Sequence, residues 1–196
     1  MTSRFENALV FAARLHRFQR RKGSNVSYVS HLLAVAALVI EEGGDEDEAI
    51  AALLHDAIED QGGQTARERV RRRFGERVTA IVEGCTDYQA DPRPPWEERK
   101  RDYVAGIGEK SASVRLVAAA DKLHNARSIL RDYRTLGEQV WQRFQGRKEG
   151  TLWYYRSLAD ALASSGRTPL VDELDRVVGD IERLAGGRPG TSGPDG

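Results

Sequence analysis

The run Leu53-Leu54-His55-Asp56-Ala57-Ile58-Glu59-Asp60 sets the reading of this chain. Apolar residues lead into it, and one imidazole and three carboxylates follow. As the end of a helix over 46–60, the run sets Glu59 one turn beyond His55, and Asp60 one turn beyond Asp56. Acidic groups at a helix C-terminus oppose the helix dipole, which favours cations there. A solvated acidic turn is the plain alternative, but local conflicts of this kind gather at functional sites.

Working outward, apolar residues recur at helical spacing on both sides. Phe5, Ala8, Leu9, Ala12, Leu15 and Phe18 predict an amphipathic helix over 4–21. A second is expected over 28–41, stopped by Gly43-Gly44, and the third is the helix over 46–60, stopped by Gly62-Gly63. Thr65-Ala66-Arg67-Glu68 has the form of a capping box and predicts a helix start. Further helices are expected over 75–84, 96–106, 112–131, 136–144, 151–164 and 169–185. Asp91-Pro92-Arg93-Pro94-Pro95 interrupts them, because proline breaks a helix interior. No stretch alternates with period two, so no sheet of consequence is expected. The reading is an all-α, single-domain bundle of about eight to ten helices over 1–185. The glycine-rich end, 186–196, reads as a flexible tail.

Composition removes several function classes. The chain has 196 residues, 30 Lys+Arg against 30 Asp+Glu, four histidines and one cysteine. At 40% hydrophobic and 31% charged it suits a globular domain with a real core. Balanced charge leaves no footprint for bulk nucleic-acid binding. Cys85 alone allows no internal disulfide and no cysteine-based zinc cluster. No apolar run approaches the roughly 18 residues of a membrane span, and the first residues lack the layout of a signal peptide. A cytoplasmic protein is expected, and monomer and homodimer both stay open.

Two more clusters join the opening one. Asp121 follows the apolar run Val114 to Ala120, and Asp121, Asn125 and Ser128 fall on one helix face. A carboxylate just after a buried run needs a partner, a metal ion or an arginine. His31, on the helix over 28–41, would by itself read as an ordinary boundary residue. Taken in order, His31, His55-Asp56 and Asp121 make a mixed nitrogen and oxygen donor set from three helices. Such a set suits Mn²⁺, Fe²⁺ or Zn²⁺, and Mn²⁺ is the first choice. Residues 57–120 contain no histidine, which favours one ion over two. His16 reads as fixing the N-terminal helix, and His124 as a packing or supporting residue beside the metal face. Gly106-Ile107-Gly108-Glu109-Lys110-Ser111 lacks the Gly-Lys pair and preceding strand of a phosphate loop.

Histidine, then His-Asp, then a distal aspartate is the order found in the HD superfamily of metal-dependent phosphohydrolases. Gln19-Arg20-Arg21-Lys22, Tyr28-Val29-Ser30-His31, His55 to Asp60, Phe74-Gly75 and Asp121-Lys122-Leu123-His124-Asn125 together make the match narrower. Over about residues 4–131 the chain resembles the hydrolase domain of RelA/SpoT-type stringent-response enzymes, most of all their small stand-alone alarmone hydrolases. The resemblance implies an all-helical fold. It implies His31, His55, Asp56 and Asp121 as metal ligands and Glu59 and Asp60 as the catalytic acidic pair. Arg21, Lys22, Asn125 and Ser128 are implied as residues that meet the nucleotide. Arg147 and Lys148 are weaker candidates for the same role, from their place among glycines and aromatics.

The implied reaction is removal of the 3′-pyrophosphate from a guanosine alarmone by metal-activated water, giving GDP or GTP. Leu32 and Gln61 depart from the family's usual proline and threonine. Agreement weakens after residue 131, and the segment 143–155 leaves the substrate open. An adenine alarmone, a phosphate of NADPH or a 5′-nucleotide are the alternatives within this chemistry, and a non-catalytic nucleotide sensor is the alternative outside it.

Overall fold

A computed structural model describes residues 1–87 and 93–186. Among these residues the fold consists of ten α-helices and one 3-10 segment, with no strand. The only extended pairing among them is an isolated antiparallel bridge between Arg20 and Ser27.

The helices are α1 (Ser3–Leu15), α2 (Val29–Glu41), α3 (Glu46–Leu54), α4 (Ala57–Asp60), α5 (Gly63–Phe74) and α6 (Glu76–Cys85). They continue as α7 (Trp96–Ile107), α8 (Ala112–Leu136), α9 (Arg147–Ser165) and α10 (Pro169–Gly186), with the 3-10 segment Gly137–Arg143 between α8 and α9. None of them is long and apolar enough to cross a membrane.

The 25-residue α8 is the spine. It packs against α2, α3 and α6 on one side and against α9, α10 and the 3-10 segment on the other. Its run Val117 to Ala120 is buried, and three consecutive alanines let neighbouring helices come close on several sides. Helix α3 is embedded in the same way, with Ala49 to Leu54 all buried. A helix apolar all round belongs in the interior. Its start is fixed by a capping box, with Asp45 accepting from the Glu48 amide and Glu48 from the Asp45 amide.

The structure departs from the sequence expectations at four places that shape the site. The first helix stops at Leu15 and not at 21. Phe18, counted into the apolar stripe, is 83% exposed, so no burial holds that turn in the helix. Residues 19–28 fold back as a narrow hairpin, with Arg21 donating to Val26 and Tyr28 to Gln19 through the backbone. Gly23 turns it at φ +72°.

The helix expected over 46–60 breaks after Leu54. Asp56 takes φ −96° and ψ 2°, and α4 restarts at Ala57. His16 and His55 therefore cap helices and do not lie within them. The capping box expected at Thr65 does not form, because α5 already begins at Gly63, behind a left-handed Gly62. Residues 136–144 are mostly 3-10 and not α, and α9 starts at Arg147, four residues before the expected position. Gly186, expected to open the tail, closes α10, and Asp91, Pro92 and the rest of the expected tail, 187–196, lie outside the described residues.

Candidate active site

Four side chains from three places in the fold converge beside α8. His31 comes from the first turn of α2, His55 and Asp56 from the break between α3 and α4, and Asp121 from the middle of α8. The ligand atoms of His31, His55 and Asp56 lie within 4.8 Å of one another. Asp121 Oδ1 lies 3.1 Å from His31 Nε2 and 3.6 Å from His55 Nε2. Asp56 Oδ2 lies 2.9 Å from His55 Nε2 and 3.8 Å from His31 Nε2.

Both imidazoles are buried, and neither Nε2 has a hydrogen-bond partner. Their other nitrogens explain the orientation. His55 Nδ1 is 2.8 Å from the Ala52 carbonyl, which can only accept, so Nδ1 carries a proton and Nε2 is the nitrogen turned inward, with a lone pair to offer when the ring is neutral. His31 Nδ1 lies 2.8 Å from His124 Nδ1, so one of the two donates. With His31 as donor, its Nε2 lone pair also faces the quartet. Two imidazole lone pairs and two carboxylates around one point, each ring held from behind, are a donor set that fits a divalent cation.

The carboxylates are held as firmly. Asp56 Oδ2 accepts from the Tyr28 hydroxyl at 2.5 Å. Asp121 accepts from Asn125 Nδ2 at 2.6 Å and from the Lys122 ammonium. Burial pushes the Asp121 carboxyl up, yet the Lys122 charge and the two histidines override it and hold it well below its ordinary value. Asp56 is likewise held low against burial by His55 and His31. Burial lowers His31, whereas His55 is raised against burial by Asp56 and Asp121. His124 is lowered to about 4 by burial and by the charges of His31 and Arg21.

Glu59 and Asp60 stand on α4, one turn past Asp56. The chain breaks at 55–56, but Asp60 N still donates to Asp56 O at 3.0 Å, so the acidic pair stays one turn beyond the quartet. Glu59 accepts from Arg93 Nη2 at 2.5 Å. Burial and the charges of Asp87 and Asp56 raise its carboxyl above the ordinary value, against Lys100 and Arg93. Asp60 accepts from Gln19 Nε2 at 2.6 Å, and burial and the Asp56 charge raise it as well.

A cavity of about 480 Å³ opens beside the quartet. Tyr28, Lys122 and Asn125, each bonded to a quartet carboxylate, also line it. Its remaining cations are Arg20, Arg21, Lys22, Lys100, Arg131 and Arg143, against one carboxylate, Asp132, which Arg143 already holds at 2.9 Å. Aromatic rings close one side. Trp96 meets Tyr154 edge to face at 6.3 Å, and Lys22 Nζ lies 5.9 Å from the Phe144 ring. Such a space attracts a polyanion carrying a flat, stackable group.

Among the residues expected from the sequence to meet a nucleotide, Arg21, Lys22, Asn125 and Ser128 line this cavity, and Arg21 donates to Asn125 at 2.7 Å. Arg147 and Lys148 are not among the residues that line it. Lys148 is spent on Glu138 at 2.9 Å and the Ala185 carbonyl at 2.8 Å, and Arg147 reaches the Gln142 carbonyl. The cation that the same segment supplies is Arg143. A Cβ on Gly23 would come within 2.5 Å of Arg143 Cδ, so the hairpin glycine makes room for it. Arg143, Lys100 and Lys122 line the cavity without being among the residues expected from the sequence. Lys122 had a signal, since it follows Asp121 directly, but the partner of Lys100 comes from a different element.

The HD-domain family model matches residues 8–152. The chain belongs to the HD-domain family. Among curated proteins, the guanosine-3′,5′-bis(diphosphate) 3′-pyrophosphohydrolase MESH1 of Xenopus tropicalis is 42% identical over 124 residues, and that of Homo sapiens 41%. Each of these alignments spans 62% of this chain and 66% of the relative. A solved structure described as a metazoan ortholog of SpoT that hydrolyses ppGpp superposes with TM-score 0.76 at 30% identity, covering 92% of this chain and 97% of that one. A Listeria monocytogenes structure reaches TM-score 0.67 at 28% identity, over 77% of this chain and 97% of its own. This HD member is thus all-helical, with the His-Asp pair at the break between α3 and α4.

Proposed function

We propose that this chain removes the 3′-pyrophosphate of guanosine 3′,5′-bis(diphosphate), or of its pentaphosphate, leaving GDP or GTP. The observation that carries the reading is the quartet of His31, His55, Asp56 and Asp121, joined through Tyr28, Lys122 and Asn125 to a lysine- and arginine-walled cavity that those three residues line. The relatives named as 3′-pyrophosphohydrolases support the substrate class.

In this reading the quartet holds one divalent cation, with Mn²⁺ preferred for a mixed nitrogen and oxygen set completed by water. When bound, such an ion supplies Lewis-acid polarisation of a phosphoryl oxygen and makes water more acidic. The protein's own groups do the rest. Glu59 and Asp60 take up or orient the proton of the attacking water, and their raised proton affinity brings them nearer to neutral pH than an ordinary carboxylate. Lys122, Arg21 and Lys22 offset charge on the phosphates from fixed positions. Asn125 and Ser128 present hydrogen-bonding groups on one face of α8, and the Trp96 and Tyr154 rings flank the same space.

The test incubates Mn²⁺-loaded protein with ppGpp, ppApp, NADPH and 5′-nucleotides and identifies the released phosphate species. Pyrophosphate with GDP from ppGpp is the expected result. Replacing Glu59 and Asp60 together by alanine is expected to abolish turnover while Mn²⁺ still binds. Full activity in that double variant, or a clear preference for another member of the panel, overturns the assignment.

A further inference from the structure

We propose that Gln19 is a positioning residue for Asp60, its side-chain amide held in one orientation by Gln61 and His16. The inference rests on the reading of Asp60 as part of the acidic pair, and it deepens that reading.

The contacts form a chain in which each donor fixes the next. Gln61 Nε2 donates to Gln19 Oε1 at 2.7 Å. His16 Nδ1 lies 2.7 Å from the same oxygen, which can only accept, so the ring nitrogen carries the proton. With its carbonyl held by two donors, the Gln19 amide must turn its NH₂ the other way, and that NH₂ meets Asp60 Oδ2 at 2.6 Å. The flipped amide would set its own oxygen against a carboxylate and two donors against its nitrogen. With Asp60 ionised, only this orientation gives every contact a donor and an acceptor.

His16 makes this frame rigid. It is fully buried as the C-cap of α1 and stacks on Tyr28 with ring centroids 5.5 Å apart and planes 24° apart. Tyr28 in turn donates to Asp56. One stacked pair thus supports Asp56 from one ring and, through Gln19, Asp60 from the other. Gln19 stands at the start of the hairpin, and its backbone carbonyl accepts from Tyr28 N at 3.0 Å, so its main chain is fixed too. Gln61 stands where the resembling family often carries threonine, whose shorter side chain has no amide to donate from that distance.

The expected consequence concerns the direction of one carboxylate. A donor on one oxygen fixes the Asp60 carboxylate and aims its other oxygen away from Gln19.

The experiment compares wild-type Mn²⁺-loaded protein with Gln19→Leu, Gln19→Glu and Gln61→Leu. Kcat and KM for ppGpp are followed across pH, alongside Mn²⁺ affinity and thermal midpoint. Gln19→Leu is expected to lower kcat about 10- to 100-fold, as lost supporting hydrogen bonds do at comparable sites, with KM changed less than about threefold. Gln19→Glu, which has no amide to donate, is expected to lose at least as much, and Gln61→Leu less. Wild-type kcat in Gln19→Leu overturns the proposal. So does a loss of kcat that follows only a lowered thermal midpoint or weakened Mn²⁺ binding. If wild-type protein leaves ppGpp intact, the functional reading fails. The Asp60 carboxyl, followed by ¹³C NMR in the Mg²⁺-loaded protein, then decides the Gln19 proposal alone, since an Asp60 carboxyl signal unchanged in Gln19→Leu refutes it.

Discussion

His124 shows how much one residue beside a metal face can decide. It lines the cavity, yet its Nδ1 is turned to His31, so it reads as the acceptor that keeps the His31 proton on Nδ1. Replacing it by alanine removes that acceptor and frees the wrong tautomer. Mn²⁺ affinity, read by isothermal titration, is expected to fall about 10- to 100-fold with the fold retained. The acidic pair makes a second prediction. The carboxylates of Glu59 and Asp60 must be ionised to accept a proton, and both are raised above their ordinary values. Activity is therefore full above those raised values and lost as pH falls through them, and the acidic limb of kcat should lie above the range of an unperturbed carboxylate near 4. A limb at or below that range in a full pH profile would refute the assignment. His31, His55, Asp56 and Asp121 were legible in the sequence because their types and order carry chemistry. Arg143 was not, because its place depends on a glycine 120 positions away in the chain.

At the scale of elements, Asp87, two residues past α6, is tied to α7 by a buried ionic knot. Arg99 Nη1 and Lys100 Nζ both lie 2.6 Å from Asp87 Oδ2, and Arg99 and Asp87 side chains are each 5% exposed. Replacing Asp87 by alanine leaves the Arg99 charge buried without its partner, and a loss of about 3–5 kcal/mol is expected in urea unfolding. Against burial, Lys100 and Arg99 hold the Asp87 carboxyl below its ordinary value. Its contribution is thus present above the unfolded carboxylate value and lost as pH falls through the lowered folded one. A variant as stable as wild type at neutral pH refutes the knot. The helices themselves were largely readable from spacing, since α2, α6, α7 and α10 fall within two residues of expectation. The ends that were misread have local causes. Spacing alone carried α1 past Leu15, though Phe18 packs on nothing in the core. It also ran α3 through the break that presents His55 and Asp56, which their own chemistry, and no turn residue, marks.

At the scale of the whole molecule, α8 joins the two halves of the bundle and carries Asp121 at its centre. The quartet exists only when α2, the α3–α4 break and α8 are docked together. An ion bound there stabilises the folded chain alone, by about 2.7 kcal/mol at one hundred times its dissociation constant. Chelation is expected to lower the thermal midpoint of the entire bundle as one transition, and a midpoint indifferent to Mn²⁺ would refute the shared site. The consequence of building the site on the spine reaches past catalysis. A chain whose helices have not yet assembled does not bring the four donors together, so the capacity to retain a divalent ion would certify a finished fold.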